Sequence, residues 1–140
     1  MNVSEKLYTW DKGEKTQINK YFNTSEFDCQ CKHKECVKQQ VSKQLIDNLT
    51  KVREECKLPI EITSGFRCSA HQKEMAEAGV NTVVAKLSQH ELGEAVDCRP
   101  KGMSIDAFYK IAEKRFKAIG VAKTFLHLDT RSDKIRRWTY

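Results

Sequence analysis

The 140-residue chain has no apolar run approaching the length that crosses a bilayer, which argues against a helical membrane protein. Its first residues, Met1-Asn2-Val3-Ser4-Glu5-Lys6, lack an apolar block after a basic patch, so no secretory signal is read there. The expectation is a protein that stays in the cytosol of the producing cell or leaves by a route needing no signal. Internal repeats and low-complexity stretches are missing, so repeat arrays and biased tails are not expected. Aromatic residues are only 9% of the chain and do not alternate with the basic ones. A stacking platform for single-stranded nucleic acid needs that alternation, so nucleic acid is not the expected partner.

What is present is enough for one domain with a real core: 39% hydrophobic residues beside 31% charged ones. The formal net charge of +6 favours anionic partners in general: nucleic acid, acidic membranes or phosphate-bearing cell-wall polymers. Six cysteines are many for a chain without a signal. Reducing compartments make metal binding or plain burial the default over disulfides. Cys29, Cys31 and Cys36 crowd around His33. They form a candidate structural metal site, with Cys68 or Cys98 as a ligand from elsewhere; disulfides and unlinked thiols remain the alternatives.

Residues 1–20 read as a polar N-terminal arm and 21–140 as a single domain. Asn23 to Phe27 opens a short helix capped by Thr24 or Ser25. Val41, Leu45, Leu49, Val52 and Cys56 recur at steps of three and four, which predicts a helix from about Lys38 to Lys57, stopped by Pro59. Ile60 to Thr63 alternates and is rich in β-branched residues, so it reads as a strand broken at Ser64-Gly65. A short helix follows over Ala70 to Ala78, closed by Gly79, and then an irregular segment from Val80 to Leu87. Ala95 to Cys98 reads as a central strand ended by Pro100. Ser104 caps a predicted helix carrying Ile105, Phe108, Ala112, Phe116 and Ile119, ended by Gly120. Thr124 to Asp129 reads as a final strand. This order gives an α+β domain with a small, mostly antiparallel sheet flanked by helices.

Two segments carry the chemistry: Ser88-Gln89-His90-Glu91-Leu92-Gly93-Glu94-Ala95-Val96-Asp97 and Phe125-Leu126-His127-Leu128-Asp129. Gly93 lets the backbone turn closely, so Asp97 can return to a metal bound by His90. His127 lies among apolar neighbours and is a core histidine unless it faces a cleft. Two neutral imidazoles and one carboxylate leave a zinc ion net positive, able to acidify water and polarise a carbonyl. Asp129 shares a strand face with His127, and can orient that ring or accept a proton. Arg67, at the end of the predicted 60–63 strand, is the candidate for a developing oxyanion or a substrate carboxylate.

At these residues the chain resembles the zinc D-Ala-D-Ala peptidases of the M15 group, which share a core with hedgehog signalling domains. The pattern of Ser88, His90, Gly93, Ala95 and Asp97 is complete. His127, in Phe-Leu-His-Leu-Asp-Thr-Arg, matches the later histidine. Thr63-Ser64-Gly65-Phe66-Arg67 is similar to the segment that carries a substrate- or oxyanion-binding arginine. Tyr21-Phe22, Phe27-Asp28-Cys29 and Arg137-Trp138 resemble a phage-rich branch; the similarity covers roughly residues 21–138. The resemblance implies a Zn2+ peptidase acting on peptidoglycan stem peptides, of the D-Ala-D-Ala carboxypeptidase or L-Ala-D-Glu endopeptidase type, in the role of a phage endolysin; a monomer is the separate expectation for a single domain of this size. The resemblance also implies metal binding by His90, Asp97 and His127 and substrate or oxyanion contact by Arg67; Ser88 is read as a further substrate contact, and Arg67 and Asp129 as the catalytic groups. One departure matters. Several branches carry an acid or histidine two or three residues before the last zinc histidine; here Phe125 and Thr124 stand there. Asp129 is then the first candidate for the base, ahead of Glu91 and Glu94. Loss of the base would leave a non-catalytic zinc-stabilised wall-binding or virion module.

Overall fold

The computed structural model describes residues 1–77 and 88–140. In chain order, the described residues form β1 (Asn2–Val3), β2 (Leu7–Asp11), a 3-10 turn (Thr24–Phe27), β3 (Lys38–Ser42), α1 (Lys43–Cys56), β4 (Ile60–Ser64) and α2 (Ser69–Glu77). Then come β5 (Ala95–Pro100), α3 (Ile105–Ala112), β6 (Ala118–Val121), β7 (Leu126–Asp129) and β8 (Arg136–Thr139). Strands β1, β2 and β3 make a small antiparallel sheet. The larger sheet has the order β4-β5-β7-β6-β8, antiparallel except where β8 joins β6 in parallel. This is an α+β fold, and none of its described helices is long and apolar enough to cross a membrane.

Alternation along β5 and β7 divides the larger sheet into two faces. Val96, Cys98, Leu126 and Leu128 point to one side and are fully buried. There they meet Leu45, Ile46, Leu49 and Val52 of α1 and Phe108 and Ala112 of α3. Burying each large apolar side chain is worth about 1.5–3 kcal/mol. A one-residue slip of β7 would drive His127 into this core and expel Leu128, so the apolar face fixes the register. Asp97, His127 and Asp129 therefore have to share the opposite face.

Several elements differ from the sequence reading. The helix expected from Lys38 starts at Lys43, because residues 38–42 pair with β2 and Ser42 Oγ accepts the amide of Leu45 as the helix cap. The turn at 24–27 is capped by Asn23, whose side chain accepts Ser25 N–H while Glu26 reaches back to Asn23 N–H. The helix expected to run to Ile119 ends at Ala112, and Gly120 lies inside β6. Amides of Lys114, Arg115 and Phe116 turn back onto Ile111 and Ala112. Steps of three and four therefore bridged a helix, a turn and a strand that share one core. Residues 1–20 contribute β1 and β2, and Trp10 is buried, its indole N–H donating to Asp28 Oδ1 at 2.6 Å. β8 follows the strand read as final. The helix end at Ala78-Gly79 and the segment Val80 to Leu87 lie outside the described residues.

Candidate metal centre

Asp97 and His127 are direct cross-strand partners between β5 and β7. His90 comes from the turn that enters β5, and two glycines make that placement possible. Gly93 has φ +72, and a Cβ there would stand 2.7 Å from Gln40 O. A Cβ on Gly65 would stand 2.6 Å from the Phe27 backbone, so the chain leaving β4 can lie against the 3-10 turn. That close approach brings Gly65 O to His90. The Arg67 amide in turn donates to His90 O at 3.2 Å.

Each ring is tied on its far side. His90 Nδ1–H donates to Gly65 O at 2.8 Å, which leaves Nε2 with its lone pair 3.3 Å from Asp97 Oδ1. His127 Nε2–H donates to Asp129 Oδ2 at 2.8 Å, which leaves Nδ1 3.1 Å from the same Asp97 oxygen. A cation held by Nε2 of His90 and Nδ1 of His127 selects these tautomers, with the far-side N–H groups donating to the Gly65 carbonyl and the Asp129 carboxylate. One ligand atom from each of the three residues lies within 4.8 Å of the others. Three lone-pair donors facing one another repel unless a proton or cation sits between them. A tetrahedral zinc shell with bonds of about 2.0–2.1 Å separates its ligands by roughly 3.4 Å, close to these contacts. The far-side hydrogen bonds are the outer support that metal-bound imidazoles require. The residues present fit a divalent cation.

Charges around the cluster follow from this geometry. Burial pushes the His90 imidazole down toward its neutral form, against the pull of Asp97. Burial acts the same way on His127, but its bonds to Asp129 and Asp97 raise it overall. For Asp97, burial is outweighed by His90 and His127, which hold the carboxyl well below the usual range. Asp129 is fully buried; its contacts with His127 and Arg131 overcome that burial and hold it down at about 2. Arg131 grips both Asp129 oxygens at 2.9 Å. On the neighbouring strands Asp129 is paired with Ala95 and Ala118.

Arg67 is buried and donates from Nη2 to Asp97 Oδ2 at 2.8 Å, from Nε to Ser64 Oγ at 2.9 Å and from Nη1 to Gln72 Oε1 at 3.3 Å. A register shift between Ile62 and Ser64 sets Ser64 opposite Asp97. Ser88 Oγ accepts the amide of His90 at 3.2 Å, closing the turn that presents the ring. Glu94 pairs with the Thr130 hydroxyl.

Sequence reasoning missed Ser64, Gly65 and Gln72 as supporting groups, and it missed why Gly120 is a glycine. Gly120 lies between His127 and Trp138 in the sheet, and a Cβ there would collide with the indole at 2.5 Å. The indole thus crosses β6 to reach His127, with ring centroids 5.2 Å apart. The pairing of Gly120 with β8 was invisible without β8 itself.

A buried triad of two histidines and one aspartate, presented by a mostly antiparallel sheet in an α+β fold, defines a candidate metallohydrolase centre. The sequence profile of the peptidase M15 family matches residues 20–129, and the chain belongs to that family. The match ends on Asp129 and includes every member of the triad. No curated protein and no solved structure matches the chain significantly.

Proposed function

We propose that this chain is a zinc peptidase that hydrolyses a peptide bond of peptidoglycan stem peptides, of the D-Ala-D-Ala or L-Ala-D-Glu kind. The observation that carries the reading is the convergence of His90 Nε2, His127 Nδ1 and Asp97 Oδ1, each ring fixed from behind. When bound, zinc supplies Lewis acidity toward a carbonyl oxygen and toward water. The protein's part is positional. Asp129 holds His127 in the tautomer that leaves Nδ1 unprotonated. Arg67 holds Asp97 by its second oxygen. Three of the five N–H groups of Arg67 are committed to Ser64, Gln72 and Asp97, and the other two are assigned to a substrate oxygen. Ser88 shapes the His90 turn at the edge of the site.

The ligand set is complete within one chain, which suits a monomer. The net charge of +6 suits a polyanionic wall. We assign the role of a phage endolysin, made in the host cytoplasm and acting on the wall after release. A second reading draws on Asp129. A carboxylate already shared between an imidazole and a guanidinium is a poor proton acceptor, which favours a zinc-stabilised wall-binding or virion module without turnover. Mass spectrometry of purified peptidoglycan incubated with zinc-loaded protein decides between them. Released D-alanine or cleaved stem peptides support the peptidase; tight wall binding with unchanged muropeptides supports the module.

A further inference from the structure

We infer that Cys29, Cys31, Cys36 and Cys68 form a second, structural metal site for a thiophilic divalent cation, zinc being the expected one. Sequence spacing gave three of these residues and left the fourth between Cys68 and Cys98. The structure brings in Cys68: its sulfur and those of Cys29, Cys31 and Cys36 lie within 4.8 Å of one another. Cys98 points to the core face of β5 and is fully buried there. His33, the other nearby candidate, is turned away and paired with Glu74.

Three observations single out a metal over four chance thiols. First, the spacing suits a tetrahedral shell. Zinc–sulfur bonds of about 2.3 Å set sulfurs roughly 3.8 Å apart, and the Cys31 and Cys68 sulfurs are 3.7 Å apart. Second, every sulfur has its own N–H donor. Cys29 accepts from the Cys68 amide at 3.4 Å, and Cys68 from the His71 amide at 3.4 Å. Cys36 accepts from Gln39 Nε2 at 3.4 Å, and Cys31 from Lys12 Nζ at 3.5 Å. Donors aimed at all four sulfurs are the outer support of a thiolate shell. Third, the charge is moderated. Four thiolates and one divalent cation leave two negative charges, and the Lys12 ammonium lies against them, also donating to Cys31 O at 2.8 Å. Gln39, almost fully buried, is held for its task by accepting the Cys29 amide at 2.6 Å.

On binding, each thiol gives its proton to solvent, and the metal ties the 29–36 loop to the chain just after Arg67. The site thereby anchors the backbone from which Arg67 reaches Asp97. The site stands whether or not the triad hydrolyses anything.

The test is metal content by mass spectrometry, together with cobalt substitution, on wild-type protein and two variants prepared under reducing conditions. Wild-type protein should hold about two zinc equivalents per chain, and His127→Ala about one. His127→Ala reconstituted with Co2+ should keep the intense thiolate-to-cobalt charge-transfer absorption. The double variant Cys31→Ser/Cys68→Ser should lose that absorption. Cobalt titration of the wild type reads the same band without any substitution, so an unstable variant does not remove the test. A wild-type protein lacking the charge-transfer band overturns the site. So does an intact mass lower by the hydrogens of one or two disulfides in reduced preparations. Absence of hydrolysis with the band retained would count against the peptidase reading alone.

Discussion

The two clusters of potential ligands are built in opposite ways. His90, Asp97 and His127 are nitrogen and oxygen donors, and two of them sit on adjacent central strands whose register is locked by the apolar face beneath. Cys29, Cys31, Cys36 and Cys68 are sulfur donors gathered from loops and a helix start, with no strand among them. The strand-borne set has three ligands, which leaves a fourth position for chemistry; the loop-borne set has four, which closes the shell. The support also differs. Each ring is held by one strong oxygen acceptor, whereas each sulfur is held by one weaker N–H donor. A site that must keep an exact ligand geometry with an open face benefits from sheet rigidity. A site that only staples loops does not need it, because the metal itself supplies the order.

The largest expected effect breaks the strand-borne cluster alone. His90→Ala or His127→Ala should lower peptide release from purified peptidoglycan by at least about a thousandfold, equivalent to several kcal/mol of transition-state stabilisation. Next comes Arg67→Ala. It leaves the Asp97 carboxylate buried without its ion partner, and breaking such a pair costs about 3–5 kcal/mol. Urea unfolding of the metal-free protein should show the loss, since no cation is then present to compensate. Asp129→Asn should weaken zinc binding at the triad by about 10–100-fold, read by competition with a chelating dye. The cysteine site should not respond. Gly120→Ala should push Trp138 off His127, visible as a change in indole fluorescence, with both metals retained. The smallest effect is expected for Ser42→Ala, which removes the side-chain cap of α1 and keeps the Ser42 amide on Gly93 O: a loss of about 1 kcal/mol, with activity unchanged.

How much of this was legible in the sequence depends on the range of the signal. The triad could be read because the spacing from His90 to Asp97, with Gly93 between, is local, and because His127 sits in an alternating strand. Asp129 as the partner of His127 followed from the same period of two. Arg67 was visible as a candidate, but its grip on Asp97 was not, since it depends on pairing β4 with β5 across a register shift. Gly120 misled for a related reason. A glycine after a run of helical steps reads as a helix end, and only the lateral pairing of β6 with β8 shows that the indole of Trp138 needs the space. The choice of Cys68 over Cys98 likewise required the fold, because only the fold shows Cys98 on the core face of β5 and Cys68, past the end of β4, beside the 29–36 loop.

The central claim is that His90, Asp97 and His127 hold the cation that cuts the wall. Its most direct measurement compares wild-type and His127→Ala protein, each stripped by chelation and then given stoichiometric zinc, on purified peptidoglycan with products identified by mass spectrometry. The account predicts that zinc restores cleaved stem peptides to the wild type and restores nothing to the variant. Equal product from both proteins, or product from the stripped wild type before zinc is added, would contradict it.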